Sequence, residues 1–367
     1  MTKAEQRHCA TILTITGSDG TGGAGVQADI KTISALGGYA VTAITSVTVQ
    51  NTLGIQEFYD LPAYTVTGQV EAIVNDMQPA IVKVGMIRRA DVMEAVAKAL
   101  SRYKPRMVIY DPVVVSSKGD VLMSLDLVGA MRQWLLPVCT LVVLKRSDAE
   151  NILARKIANM ADVTEAAARL LEMGCGNVLM HCGRIMADSD TDMLLTGGSS
   201  EPVFLSNVCS DMSGPGNHGM SGNLSAAIAV FCAKGQPLGE AVHNASVYMS
   251  NLAADNIMLT GRGSDLFSEF VNEIAEHFAS HSDVRFYADR LNVSGTYLAQ
   301  VTKRIAGKAP KTIIDEYVAS EAQSVLMSSN KTVQEIAYSL GFSSQAHFTK
   351  FFKKMVQCTP SEYRRRK

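Results

Sequence analysis

Long apolar runs are missing from this chain of 367 residues. No window offers the roughly 18 uncharged apolar residues that a membrane-spanning helix needs. The opening MTKAEQRHCATILTIT carries too short an apolar run for a signal peptide. Proline is scarce at 10 residues, and together with 47 % hydrophobic content this argues against disorder. The seven cysteines (9, 139, 175, 182, 209, 232 and 358) are odd in number, scattered and without a CxxC spacing. That pattern speaks against a disulfide framework or a zinc site and fits a reducing compartment. A soluble, cytoplasmic protein long enough for two domains is therefore expected.

Net charge is also nearly missing, at −1, but the balance is uneven along the chain. From Val284 to Lys367 there are 14 Lys/Arg against 6 Asp/Glu, a balance of +8, so the preceding 283 residues carry −9. A basic segment that also holds helical motifs points to nucleic acid, although a basic tail such as RRRK (364–367) is by itself only solvated surface.

What the first 265 residues do contain is β-rich runs alternating with helical patterns. The runs are TILTIT (11–16), IVKVGM (81–86), MVIYDPVVV (107–115), LVVL (141–144) and NVLM (177–180). Between them, ADVMEAVAKALSRY (90–103) and VTEAAARLLEMG (163–174) repeat apolar residues at helical spacing. The alternation predicts an α/β domain with a mostly parallel sheet flanked by helices, whose sites gather at the carboxyl ends of the strands.

The first run leads into GSDGTGGAGVQADIKT (17–32), a glycine-rich turn before a helix, which alone is as often a plain turn as a ligand site. SALGGYAVTAITSVTVQNTLG (34–54), KVGMI (83–87), DPVVVSSKGD (111–120) and LTGRGSD (259–265) follow in order. Together, over about residues 10–263, they resemble the hydroxymethylpyrimidine/phosphomethylpyrimidine kinases of the ribokinase-like superfamily. The resemblance implies a pyrimidine pocket formed by Gly17, Ala24, Asp29, Gln50 in the QNT turn, Met86 and Val113. The chemistry suits that role: Gln50 offers a donor and an acceptor to an aminopyrimidine edge, Asp29 accepts from an amine or hydroxyl, and Met86 and Val113 supply apolar walls. Any one of them alone is as readily a core or turn residue.

NHGMSGNLSAAIA (217–229) has the form of an anion-binding loop opening a helix. The corresponding family motif reads approximately NTHGTGCTLSAA. His218, Gly219, Leu224, Ser225, Ala226 and Ala227 match it, whereas Met220, Ser221, Gly222 and Asn223 replace its interior. The catalytic Cys of the motif, an Asp in related sugar kinases, becomes Gly222, which has no side chain to act as base. Asn223 is expected to cap a helix from Leu224 to Ala233. On the nucleotide side the family's Thr-Pro-Asn becomes Val143, Leu144 and Lys145 while Glu150 remains, and its Lys-Gly-Gly becomes His181, Cys182 and Gly183. Loss of one stabilising element of phosphoryl transfer costs about a hundred- to a thousandfold in rate, so a non-catalytic ligand-binding domain is favoured. Residual turnover stays open, since combined losses need not add.

The last hundred residues read differently. FYADRLNVSGTYLAQVTKRIAG (286–307) gives a short helix, a turn at Asn292–Ser294, and a helix capped by Ser294 with Leu298, Val301 and Ile305 inward. TVQEIAYSLGFSSQAHFTKFFKKM (332–355) repeats the plan with a turn at Gly341–Ser344. These are two helix-turn-helix units, each alone compatible with an ordinary helical hairpin. PKTIIDEYVASEAQSVLMSS (310–329) between them is helical from Pro310 onward. Nineteen residues make a rod of about 28 Å, close to the roughly 34 Å between successive major-groove faces. EIAYSLGFSSQAHFTKFFKKMVQCTPSEYR (335–364) resembles the AraC/XylS family of transcription regulators, with Gln357-Cys358 where Gly is usual. DNA contacts are expected from Thr296, Tyr297, Gln300 and Lys303 in the first unit and from Ser344, Gln345, His347 and Lys350 in the second.

The sequence thus predicts a ligand-sensing domain over residues 1–264 and an all-α DNA-binding domain over 265–367. The partners expected are promoter double-stranded DNA, a small pyrimidine (hydroxymethylpyrimidine or its phosphate) and a second copy of the chain in a homodimer. No metal site and no required cofactor are expected; ATP and Mg2+ enter only if kinase activity is retained. Two alternatives remain: an active bifunctional kinase and regulator, and a sensor of a pyridoxal-type vitamin B6 compound.

Overall fold

The computed structural model describes residues 10–51, 53–114, 122–186, 189–199, 201–206, 220–254, 263–329 and 331–365. The chain divides into two units, Met1–Leu259 and Thr260–Lys367.

Among its described residues the first unit has ten strands: β1 (Thr11–Thr16), β2 (Tyr39–Ile44), β3 (Ser46–Asn51), β4 (Gly54–Asp60), β5 (Ile81–Val84), β6 (Met107–Tyr110), β7 (Leu141–Lys145), β8 (Asn177–Met186), β9 (Ser189–Thr196) and β10 (Val203–Ser206). Eight form one sheet in the order β10-β9-β8-β7-β6-β5-β1-β2, parallel from β2 to β8 and antiparallel at β9 and β10. β3 and β4 make a separate antiparallel ribbon with a bulge between Val49 and Gln50. Gln50, expected in a turn, therefore lies in a strand.

The helices are α1 (Gly25–Ala35), α2 (Ala63–Met77), α3 (Ala90–Tyr103), α4 (Leu125–Ala130), α5 (Arg146–Leu153), α6 (Met160–Glu172), α7 (Met220–Ala233) and α8 (Leu238–Ala254). α4 runs on through a π-helical turn, Met131–Leu135, that carries Trp134. Every residue of β5 and β6 is buried, as strands covered on both faces must be, and their near-continuous Ile, Val and Met content follows from it. Successive side chains feed opposite cores. Leu13, Ile15, Val82, Val84 and Tyr110 pack on one face, while Ile12, Ile81, Ile109 and Leu141 meet the apolar flank of α7 and α8 on the other.

The second unit is all helical: α9 (Gly263–His277), α10 (Val284–Arg290), α11 (Gly295–Ala306), α12 (Pro310–Ser328), α13 (Val333–Ser339), α14 (Gln345–Val356) and α15 (Pro360–Arg364). α10–α11 and α13–α14 are the two helix-turn-helix units, and α12 opens with Pro310 in its first turn. Leu298 and Val301 are fully buried, but Ile305 is 44 % exposed, contrary to its expected inward position. It sits in the last turn of α11, two residues before the left-handed Gly307 cap, where the chain leaves the helix.

Candidate functional site

The loop from β1 to α1 is organised by Asp19, a buried residue whose side chain replaces several missing backbone partners. Its Oδ1 accepts from the Thr21 N–H at 2.8 Å and the Thr21 hydroxyl at 2.7 Å, and its Oδ2 accepts from the Ala24 N–H at 2.7 Å. Ala24 is the N-cap of α1 and has no capping side chain, so Asp19 fixes its position from outside the helix. Gly25 adopts a left-handed φ of +59°, where a Cβ would stand 2.4 Å from the Gly17 carbonyl. A Cβ on Gly17 would in turn stand 2.4 Å from the Met86 methyl, so Gly17 and Met86 touch.

β3 closes the other side of the loop. The Ser18 N–H donates to the Ser46 carbonyl at 2.8 Å, and the Thr48 hydroxyl donates to the Ser18 carbonyl at 2.8 Å. Past the bulge, the Gln50 side chain stays beside Thr48, whose hydroxyl also donates to Gln50 Oε1 at 3.3 Å. Met86 is tied in by its N–H to the Thr16 hydroxyl at 3.1 Å and its carbonyl to the Thr45 hydroxyl at 2.7 Å. Val113 is half-buried on the loop after β6. Gly17, Ala24, Met86 and Gln50 are thus arranged around one loop at the carboxyl ends of β1 and β5. Segment 115–121 and His218 and Gly219 lie outside the described residues.

Beneath this loop sits a charged cluster that the sequence reading touched at one residue only. Asp29 is 0 %, Lys83 2 % and Asp111 3 % exposed. Lys83 Nζ lies 2.5 Å from Asp29 Oδ1, and the Thr14 hydroxyl donates to the other Asp29 oxygen. Both Asp29 oxygens are therefore engaged by protein groups. The Ser225 hydroxyl donates to Asp111 Oδ2 at 3.1 Å. Gly222 faces this cluster: a Cβ there would stand 3.7 Å from Lys83 Nζ and 4.0 Å from both Asp111 Oδ2 and Asp29 Oδ1. Lys83 had a signal in the sequence, a lone charge within the apolar strand IVKV, since an ammonium is buried only when paired.

α7 begins at Met220, not at Leu224, so Asn223 is inside the helix and does not cap it. Its Oδ1 instead accepts from the Thr32 hydroxyl of α1 at 3.2 Å. The side-chain oxygen is more useful there, across two helices, because a residue past the first positions no longer sees orphan N–H groups.

On the side where the resemblance places nucleotide and magnesium, the described residues are committed to one another. Glu150 accepts from the Ile157 N–H at 2.9 Å and from Lys156 at 3.0 Å. Partial burial raises its carboxyl pKa, but the Ile157 N–H, Lys156 and Arg146 outweigh that and hold it below the usual carboxylate range. His181, on β8, lies with Nδ1 2.6 Å from Asp192 Oδ1. Cys182 beside it is an inert thiol, pushed up to about 12 mainly by burial. These side chains do not fit a magnesium-nucleotide site of the family's pattern: Glu150 has its oxygens occupied and Lys145 stands where an amide would be.

In the second unit the recognition helices are capped by the residues that open them. Ser294 Oγ accepts from the Tyr297 N–H at 3.1 Å, and Ser344 Oγ accepts from the His347 N–H at 3.2 Å. Ser344 is thus an N-cap as well as a proposed contact, a role that leaves its oxygen partly committed. Thr296, Lys303, Gln345, His347 and Lys350 are exposed, while Tyr297, Gln300 and Ser344 are half-buried. The His347 ring meets Phe342 edge-on, with centroids 5.7 Å apart, so its orientation is set by packing. α14 ends at Gln357, which takes a left-handed φ of +63°. A side chain in that region costs about 1–2 kcal/mol. Gln357→Gly is expected to stabilise this unit by about 1 kcal/mol, checked by the shift of its thermal midpoint; a loss of stability would count against the left-handed cap.

Comparison with known proteins matches these two units separately. Residues 19–265 match the phosphomethylpyrimidine kinase family, and residues 287–366 match a helix-turn-helix domain. The chain is 37 % identical over 258 residues to a hydroxymethylpyrimidine/phosphomethylpyrimidine kinase of Rhizobium meliloti, covering 69 % of this chain and 95 % of that one. It is 35 % identical over 240 residues to a thiamine biosynthesis bifunctional protein of Geobacter sulfurreducens, covering 65 % of this chain but only about half, 48 %, of that longer protein. The crystal structure of a phosphomethylpyrimidine kinase from Clostridium difficile superposes with a TM-score of 0.58 at 31 % identity, covering 66 % of this chain and 99 % of the other. With its ribokinase-like sheet and the residues that line it, the chain belongs to the phosphomethylpyrimidine kinase family, and it carries in addition a C-terminal helix-turn-helix domain of the AraC type.

Proposed function

We propose that this chain is a ligand-responsive transcription regulator whose kinase-fold domain binds the hydroxymethylpyrimidine precursor of thiamine without phosphorylating it. The helix-turn-helix domain binds promoter DNA, and the ligand acts by binding one arrangement of the protein more tightly than another. One observation carries the non-catalytic reading. Gly222 faces Lys83, Asp29 and Asp111 and has no side chain with which to take the proton of a bound alcohol. The flanking carboxylates do not replace it, since Asp29 is held by Lys83 and Thr14 and Asp111 accepts from Ser225. The pocket side is kept by contrast: Gly17 touches Met86, and Asp19 seats Ala24.

The test is to incubate the full chain with hydroxymethylpyrimidine and magnesium-ATP, then identify by mass spectrometry what is retained and what has formed. Intact pyrimidine retained, with less than one phosphorylated product per protein, is the expected result. Product accumulating over many turnovers would make the protein an active kinase fused to a DNA-binding domain.

A further inference from the structure

Around the β1–α1 loop the Thr14 hydroxyl donates to Asp29, that of Thr16 accepts from the Met86 N–H, that of Thr45 donates to the Met86 carbonyl and that of Thr48 to the Ser18 carbonyl. Ser46 is the exception. It is only 1 % exposed, and its Oγ has no hydrogen-bond partner among the described residues. A hydroxyl buried without a partner is costly to the folded state, so such a group in a native fold has a cause.

The strand aims it. Ser46 opens β3, along which Val47 and Val49 are exposed, while Ser46 and Thr48 turn to the opposite face, the one whose Thr48 hydroxyl reaches the loop. The Ser46 carbonyl, held by the Ser18 N–H at 2.8 Å, ties the residue to that loop. A Cβ on Gly17 would stand 3.8 Å from the Ser46 Cβ and 2.4 Å from the Met86 methyl, so Gly17, Met86 and Ser46 converge on one point. The unpartnered hydroxyl thus stands beside two of the residues from which a pyrimidine pocket would be built.

We infer that Ser46 is a further ligand-binding residue, whose hydroxyl donates a hydrogen bond to a ring nitrogen of the bound aminopyrimidine. The inference rests on the reading of the first domain as a pyrimidine binder. A hydroxyl can donate and accept, but an unmet donor is the rarer defect in folded proteins, so the partner it lacks is an acceptor. The acceptors that an aminopyrimidine offers in its ring plane are its ring nitrogens. Such a contact selects by chemistry and not by outline, because a ring of the same shape with C–H at those positions leaves the hydroxyl buried and unpaired.

Isothermal titration of the full chain and of its Ser46→Ala variant tests this, each with hydroxymethylpyrimidine and with a carbocyclic analogue that keeps the ring substituents but has C–H for both ring nitrogens. Ser46→Ala is expected to bind the pyrimidine about tenfold more weakly, and the carbocycle no more weakly than the unchanged chain does. Without ligand the same variant is expected to lose no stability, its thermal midpoint by Trp134 fluorescence staying in place or rising by about 2–4 °C, because the hydroxyl removed had no partner to lose. Unchanged affinity for the pyrimidine, an equal loss with the carbocycle, or a lowered midpoint would overturn the inference and leave the binding role standing. Binding of the pyrimidine by neither chain would overturn the reading of the domain as a pyrimidine site, and the inference with it.

Discussion

Gly341→Ala is expected to lower the stability of the C-terminal unit by about 3 kcal/mol and to abolish DNA binding. Gly341 ends α13 in a left-handed conformation, φ +83°. The Gly341 N–H donates to the Tyr338 carbonyl at 3.1 Å and the Phe342 N–H to the Ala337 carbonyl at 2.9 Å, the paired bonds of a Schellman C-cap. A Cβ on Gly341 would stand 1.8 Å from the Ala279 carbonyl oxygen, a backbone atom in the turn after α9. The left-handed penalty of about 1–2 kcal/mol therefore combines with an overpacking cost of about 1–3 kcal/mol. The turn also aims Phe342, whose ring meets Phe348 at 5.2 Å and Phe351 at 5.1 Å between centroids, so the same change loosens the seating of α14. Hydrogen exchange of the α13 and α14 amides, together with affinity for a bound promoter fragment, measures both effects. Exchange rates like those of the unchanged protein would mean that the turn does not lie against Ala279.

Lys83→Met is expected to destabilise the N-terminal unit by about 3–5 kcal/mol, the usual cost of leaving one partner of a buried ion pair alone. Among the described residues Asp29 would keep its bond from Thr14, and its side chain is buried. Adding Asp29→Asn should recover much of the loss, because the pair is then removed as a unit. The single tryptophan of the chain, Trp134, packs against the core of this unit, so its fluorescence in a denaturant titration reports the N-terminal domain alone. A midpoint that hardly moves in the single variant would show that Lys83 and Asp29 are not paired in solution.

Periodicity carried the regular elements well. ADVMEAVAKALSRY becomes α3 without a change of boundary, because its apolar face and polar back leave a single solution. Where polar residues do local work, the pattern misleads. QNT has the composition of a turn, yet Gln50 is in β3, since the bulge at Val49/Gln50 lets the strand bend without ending. Asn223 has the chemistry of a cap, but α7 gains a turn before it and its amide bridges to Thr32 instead. Gly17, Ala24, Gln50 and Met86 stand out in the sequence as a set because their motifs follow one another in order, and the structure gathers them around one loop. Asp19 does not, because it acts through backbone N–H groups of its own loop, and Lys83 shows only as a lone charge in an apolar strand, with nothing nearby in the sequence to mark Asp29 as its partner.

The length of α12 limits how such a helix-turn-helix domain can vary. A single residue inserted into this 19-residue helix would advance α13 and α14 by about 1.5 Å and turn them by about 100° relative to α11. The second recognition helix would then face away from the groove that the first one reads. A one-residue insertion within α12 is therefore expected to abolish binding to a site read by both recognition helices, as measured by affinity for a promoter fragment. The operators bound by relatives that keep this helix should differ in base sequence but share one spacing between their two half-sites.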